Sequence, residues 1–337
     1  MADILKLFST KNVLSYVQNR SYQTYLGDTL FPARKVPSLE TEILEDTYTA
    51  PTIAPISAFD TEAQIGSREA NVRMAELGYM KRKIQLKEKD LVALRNPRTA
   101  EEQAYLTQLV YNDTDKMVTG VLARIELMRM QVLANGIVLP DDKDVNWKVD
   151  YKLPKEHQVK ADWSDKDADI IGDIQTWVDT LDSAPTRVIT SNKVKNAMLQ
   201  NNMILDYFKR LNLIPSLTGL NQVMDQLGLP ILVTYDLKYR EADAKGKLTT
   251  KSYFPENKFV MFDENTTGET LYGPTPEESR LLSNSNINMT VGNVFATMYE
   301  EGNDPVGTWT KAAATSLPTL ANTEQLFQAE ITLPASK

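Results

Sequence analysis

The chain has 337 residues and a mass of 38.0 kDa, with 42% hydrophobic and 24% charged residues. That is enough apolar material for a sizeable core or two domains, and it excludes a disordered or fibrous chain. With no cysteine, disulfides and cysteine-bound zinc are excluded as well, and a net charge of −8 with a pI near 5.0 argues against tight nucleic-acid binding while leaving room for local basic patches.

No apolar run approaches the ~20 residues of a membrane helix, and the first twenty residues lack the layout of a secretion signal. The chain is therefore expected to stay in the cytoplasm where it is made. Residues 1–33 read as an arm, with a short helical piece (Ile4, Leu7, Phe8, then Val13, Leu14, Val17) and a turn at Gly27-Asp28. Pro32, Pro37, Pro51 and Pro55 then punctuate an extended, edge-like segment. From 47 to 94 the pattern predicts a long two-stranded hairpin: out over 48–59, a tip at 60–68, back over 72–86. Two strands alone bury too little surface to be stable, so such a ribbon expects a partner.

Charge divides sharply along this part of the chain. Between Arg68 and Arg98 there are nine basic and four acidic residues, and between Asp141 and Asp182 twelve acidic and six basic. Three readings stay open: solvated faces that keep the protein soluble, complementary patches on neighbouring copies, or a DNA contact at Lys81-Arg82-Lys83. On the second reading the inter-subunit contact candidates are Arg68, Arg73, Lys81, Arg82, Lys83 and Lys87, facing Asp141, Asp142, Asp144, Asp165, Asp167 and Asp169.

A capping box at Thr99 and Glu102 opens a helix over 99–134, with Leu106, Val110, Met117, Val121, Ile125, Met128 and Val132 on one face. Asn135-Gly136 closes it. At 1.5 Å per residue it would run ~50 Å, and the poor helix formers at 112–115 are expected to kink it. Short strands follow at 137–139 and 146–151. A helix over 167–181 carries Asp165, Asp167, Asp169 and Asp173 about its positive end, where a helix dipole favours them. A further unit opens at Ala184-Pro185: a strand at 187–190, a helix capped by Ser191-Asn192, helices over 204–211 and 217–227, and a strand at 229–235. That strand is expected to turn back through 241–247 into 248–254, with another strand at 259–262. The whole is α+β, helices packed on a mainly antiparallel sheet. The loops at 273–278 and 302–305 are candidate docking points for a decoration protein.

Catalytic chemistry finds little support. His157 stands in a polar stretch, Lys155-Glu156-His157-Gln158, and is expected to be exposed. Asp142-Lys143-Asp144-Val145-Asn146 begins like a calcium loop but places Trp147 where glycine is needed and Leu153 where the bidentate glutamate belongs. No phosphate-cradling glycine motif occurs. Catalytic, cofactor and metal sites are accordingly expected to be none, although a hydrolase using Asp/Glu pairs remains the alternative from another class.

The order of arm, long hairpin, very long helix, acidic segment and late α+β domain resembles the major capsid protein of tailed phages. That fold is shared with herpesvirus capsid floors and encapsulin shells. More narrowly, the chain resembles the family of the phage lambda coat protein E. The residues that carry the likeness are Leu30-Phe31-Pro32, Gly78-Tyr79-Met80-Lys81-Arg82-Lys83, Phe254-Pro255-Glu256-Asn257-Lys258-Phe259-Val260-Met261, and Ser316-Leu317-Pro318-Thr319-Leu320 ahead of Glu324 and Phe327. The resemblance implies an N-terminal arm (1–39), an extended loop (40–95) lying over a neighbouring subunit, and a peripheral domain (96–183) with its spine helix. It further implies an axial domain (184–282) and a return segment (283–337). Hexamers and pentamers would close into an icosahedral head around double-stranded DNA, which the wall encloses without binding specifically. Because the chain starts almost at the arm, a separate scaffolding protein is expected, with a portal at one vertex. An encapsulin-like cellular shell is the alternative within the same fold.

Overall fold

The computed structural model describes residues 8–45, 71–95, 98–140, 147–242, 246–264, 267–283, 292–302 and 307–334. Ser9 caps helix α1 (Thr10–Asn19), whose buried stripe is Val13, Leu14 and Val17, the spacing the sequence predicts. Gly27 and Asp28, expected to turn, instead lie in a single helical turn, α2 (Leu26–Leu30). Asp28 reaches back to accept from the Tyr25 N–H at 2.8 Å and holds the turn closed. Pro32 leads into the edge strand β1 (Ala33–Lys35).

The expected long hairpin is built differently. β2 (Glu40–Glu45) pairs antiparallel with β3 (Asn71–Glu76), while the expected outgoing strand at 48–59 and the tip at 60–68 lie outside the described residues. The return strand breaks at Leu77. β4 (Gly78–Leu86) then leaves the ribbon and enters a larger sheet, and residues expected to prolong the hairpin form helix α3 (Glu88–Arg95). Met80, Ile84 and Leu86 share one face of β4, and a larger sheet can bury that face where a two-stranded ribbon could not.

Thr99 accepts from the Glu102 N–H at 3.1 Å and starts helix α4 (Ala100–Asn135), which ends at Gly136 in the left-handed conformation, φ 66°. No break occurs at 112–115. Thr114 bonds back to the Val110 carbonyl at 3.0 Å, and Asp115 accepts from the Tyr16 and Tyr22 hydroxyls at 2.9 and 3.1 Å, so tertiary contacts hold the poor helix formers in place. The short pair β5 (Ile137–Val138) and β6 (Val149–Asp150) follows.

His157 ends a 3₁₀ turn (Lys155–His157) and is buried, its ring 6.0 Å from that of Phe327. The expectation of exposure fails because its apolar frame comes from a residue 170 positions away. β7 (Gln158–Asp162) and helix α5 (Ile170–Thr180) come next, then β8 (Arg187–Thr190), α6 (Asn192–Gln200), α7 (Asn202–Arg210), α8 (Leu217–Gln226) and β9 (Ile231–Thr234). β9 does not fold back on residues 248–254. It lies parallel to β8, and a separate ribbon forms from β10 (Lys238–Ala242) and β11 (Leu248–Ser252). The chain closes with β12 (Lys258–Phe262), β13 (Gly268–Gly273), α9 (Pro276–Ser283), β14 (Phe295–Glu301), β15 (Gly307–Leu320) and β16 (Phe327–Thr332). The loop expected at 273–278 is thus the start of α9, where Thr275 accepts from the Glu278 N–H at 3.1 Å.

Two sheets organise these elements. In the first, the 14-residue β15 carries β13 and β14 end to end on one edge and β4 on the other, with β1 outside β13. Helix α4 lies against this sheet, and with α1 and the arm it encloses the first core, around Ile125, Met128, Val132 and Phe31. The second sheet runs β7-β16-β12-β8-β9. Its outer pairs are parallel and its inner pairs antiparallel, so the mainly antiparallel expectation holds for the first sheet only. Helices α5 to α8 cover it and build the second core, centred on Trp163, Trp177, Phe259 and Phe327. Because β7 and α5 belong to this core, the sequence-derived boundary at 183/184 runs through it.

Candidate assembly surfaces and a buried polar junction

Strand pleating divides the basic triplet. Lys81 and Lys83 stand on the face of β4 that also carries Tyr79, and Arg82 points the other way. Lys83 lies 4.1 Å from the Trp309 ring centroid and 3.9 Å from Glu301. Lys81 lies 5.5 Å from the Tyr79 ring. Arg82 covers Gly120 of α4, where a Cβ would stand only 2.6 Å from its Nη1. Nearby, Glu277 accepts from Tyr79 at 2.7 Å and from Lys311; burial works against its charge, but these bonds hold the carboxyl below the usual range. Arg73 turns inward and donates to the Asp150 carbonyl. Lys87 is exposed just ahead of α3, and Arg68 lies outside the described residues.

Of the acidic candidates, Asp141, Asp142 and Asp144, with the calcium-like stretch, fall outside the described residues. The others are engaged within the chain. Asp169 caps α5 through the Gly172 N–H at 3.0 Å, Asp165 accepts from the Asp167 N–H at 3.0 Å, and Asp167 accepts from Asn202 at 2.7 Å. They fasten the loop before α5 to the α6–α7 corner.

A different surface carries unopposed charge. In the β2–β3 ribbon, Glu40 sits directly opposite Glu76 and Glu42 opposite Met74, all on one face. Like charges placed opposite each other across strands repel. Among the described residues no cation pairs with these three glutamates, and Met74 is 55% exposed. The opposite face, with Ile43 and Ala75, is buried against the body.

The sequence also conceals a buried polar junction inside the first core. Glu126 is fully buried on α4. Its Oε1 accepts from the Gly27 N–H at 3.2 Å and the Tyr235 hydroxyl at 2.7 Å, and Arg129 lies 3.3 Å from its Oε2. Arg129 in turn donates to Asp28 at 2.6 Å and Thr270 at 2.9 Å. One carboxylate thus joins the arm, the long helix and the residue that follows β9. Burial pushes the Glu126 carboxyl up, against the pull of Tyr235, Arg129 and the Gly27 N–H, and burial also raises the Tyr235 hydroxyl. Gly27 has to be glycine here, since a Cβ would come within 2.3 Å of the carboxylate. The spacing Glu126–Arg129 matches an ordinary surface pair (i, i+3).

This architecture has relatives among solved structures. A protein assigned as the capsid protein of a prophage of E. coli CFT073 is similar at TM-score 0.65 and 17% identity, over 96% of this chain and 98% of that one. A phage-related protein from Bordetella bronchiseptica RB50 is similar at TM-score 0.52 and 12% identity, over 94% and 95%. No match is found among curated protein sequences. The fold, with its arm, ribbon and long helix, is therefore that of phage major capsid proteins. The chain belongs to the phage major capsid protein E family, whose model matches residues 9–331. It is a structural component of a virion's capsid shell.

Proposed function

We propose that copies of this chain associate as hexamers and pentamers and close into an icosahedral head around a double-stranded DNA genome, without catalysing a reaction. The observation that carries this reading is the β2–β3 ribbon, a two-stranded element whose outward face holds an exposed methionine and three glutamates that no cation among the described residues compensates. Such a face is poorly stable by itself and is satisfied by a neighbour. In the assembled shell the ribbon lies over the next subunit. The second core is the unit gathered around fivefold and sixfold centres, and the first core with α4 forms the periphery. The average charge of −8 suits a wall that encloses DNA without gripping it. Assembly in the host cytoplasm uses a separate scaffolding protein and a portal at one vertex, and a decoration protein is a further partner.

Negative-stain electron microscopy of the recombinant chain, alone and co-expressed with its scaffold, tests this reading. Rings, sheets or closed shells are expected. A small monodisperse particle under both conditions would overturn it.

A further inference from the structure

An open groove of about 720 Å³ lies between α4, β4 and the β10–β11 ribbon. Its cations outnumber its carboxylates. Asp115 is already occupied by Tyr16, Tyr22 and Arg20, and Glu241 by Lys251. Arg82, Lys238 and Arg240 also line the groove, and none of them has a carboxylate partner among the described residues. Leu237 and Leu248, 40% and 59% exposed, offer apolar surface beside these charges.

The β2–β3 ribbon has the reverse composition: Glu40, Glu42 and Glu76 surround Met74 on one face. Among the described residues no cation of its own chain pairs with this face, and the ribbon is tied down by its other face and base. Arg73 donates to Asp150, Trp147 Nε1 donates to the Glu76 carbonyl at 3.0 Å, and the Leu77 N–H donates to Leu39 at 2.8 Å. We propose that the groove receives the acidic face of the β2–β3 ribbon from a second copy of the chain. The glutamates pair with Lys238, Arg240 and Arg82, and Met74 packs against Leu237 and Leu248. The pairing deepens the shell-subunit reading and rests on it. Opposite charge sets the register of the contact, and the exposed apolar residues supply area that leaves water.

The chain lacks cysteine, which makes a direct test available. In assembled particles of the double variant Met74→Cys/Leu248→Cys, mild oxidation is expected to give a ladder of covalent oligomers on a non-reducing gel. Each single variant gives dimers at most. Charge reversal is the second arm. Glu40→Lys/Glu42→Lys/Glu76→Lys and, separately, Lys238→Glu/Arg240→Glu should each lower particle yield by about tenfold or more, with circular dichroism unchanged, and combining them should restore yield. Wild-type particles alongside a double-cysteine variant without a ladder, or reversed sets that do not rescue each other, would overturn this contact and leave the shell reading standing. A wild-type chain that never assembles with its scaffold would overturn both.

Discussion

The two cores are held together by different physics. The second is dry: Trp163 and Trp177 stack at 5.7 Å, Phe259 meets Trp163 edge-on at 5.5 Å, and the main polar handle, Trp163 Nε1, donates to Asp173 at 2.8 Å. The first encloses a charged carboxylate and an arginine, and through them binds an arm, a helix and a strand that lie far apart in sequence. A dry core fails by losing volume. A core with ions inside fails when one ion loses its counterpart, and that difference can be measured.

Arg129→Met, which leaves Glu126 without its cation, should cost about 3–5 kcal/mol in denaturant unfolding. The double change Glu126→Leu/Arg129→Met should recover most of that loss, because the orphaned charge is gone; a double as damaging as the single would break the comparison. In the second core, Trp163→Ala should also cost about 3–5 kcal/mol, through the cavity and lost packing, and no second polar substitution should restore it. Tyr235→Phe removes one donor to Glu126 and should cost about 1–3 kcal/mol, read in the same assay. Thr99→Ala should cost about 1 kcal/mol through the α4 cap, without touching either core.

The smallest effect is one of pH. Burial lowers the His157 pKa below its ordinary 6.5, so the unfolded chain takes up a proton before the folded one does. The stability this provides is present above pH 6.5 and is lost as pH falls through the lowered folded value. His157→Phe should flatten that limb when denaturation midpoints are compared between pH 7 and 5. An unchanged slope would show that the imidazole is not sheltered by Phe327.

Local signals were legible where the physics is local. Thr99, Gly136 and Ser191 each mark a helix end by satisfying or redirecting backbone groups within a few residues, and each does so in the structure. The apolar strands expected at 187–190 and 259–262 are likewise in place. What stayed hidden depends on distant partners. β4 reads as hairpin because its bond to β15 spans more than 200 positions. β15 hides behind Pro318, which lacks an N–H, and the register works because the Thr270 N–H opposite it donates to Pro32 at 2.9 Å. The inward turn of Arg73 and the burial of Glu126 and His157 are of the same kind. So is the basic triplet, which reads as one patch until the pleat separates Arg82 from its neighbours.

β15 has a consequence for how the protein is made. Lys83 waits for Lys311, its partner in the register, and β16, which separates β7 from β12, is threaded later still. At ribosomal speeds of ~5–20 residues per second, β4 spends roughly 10–50 s exposed before its edge is filled. Neither sheet closes until nearly the whole chain has emerged. Until then the unpaired edge of β4 is a place where another chain could pair, and the finished register with β15 removes it.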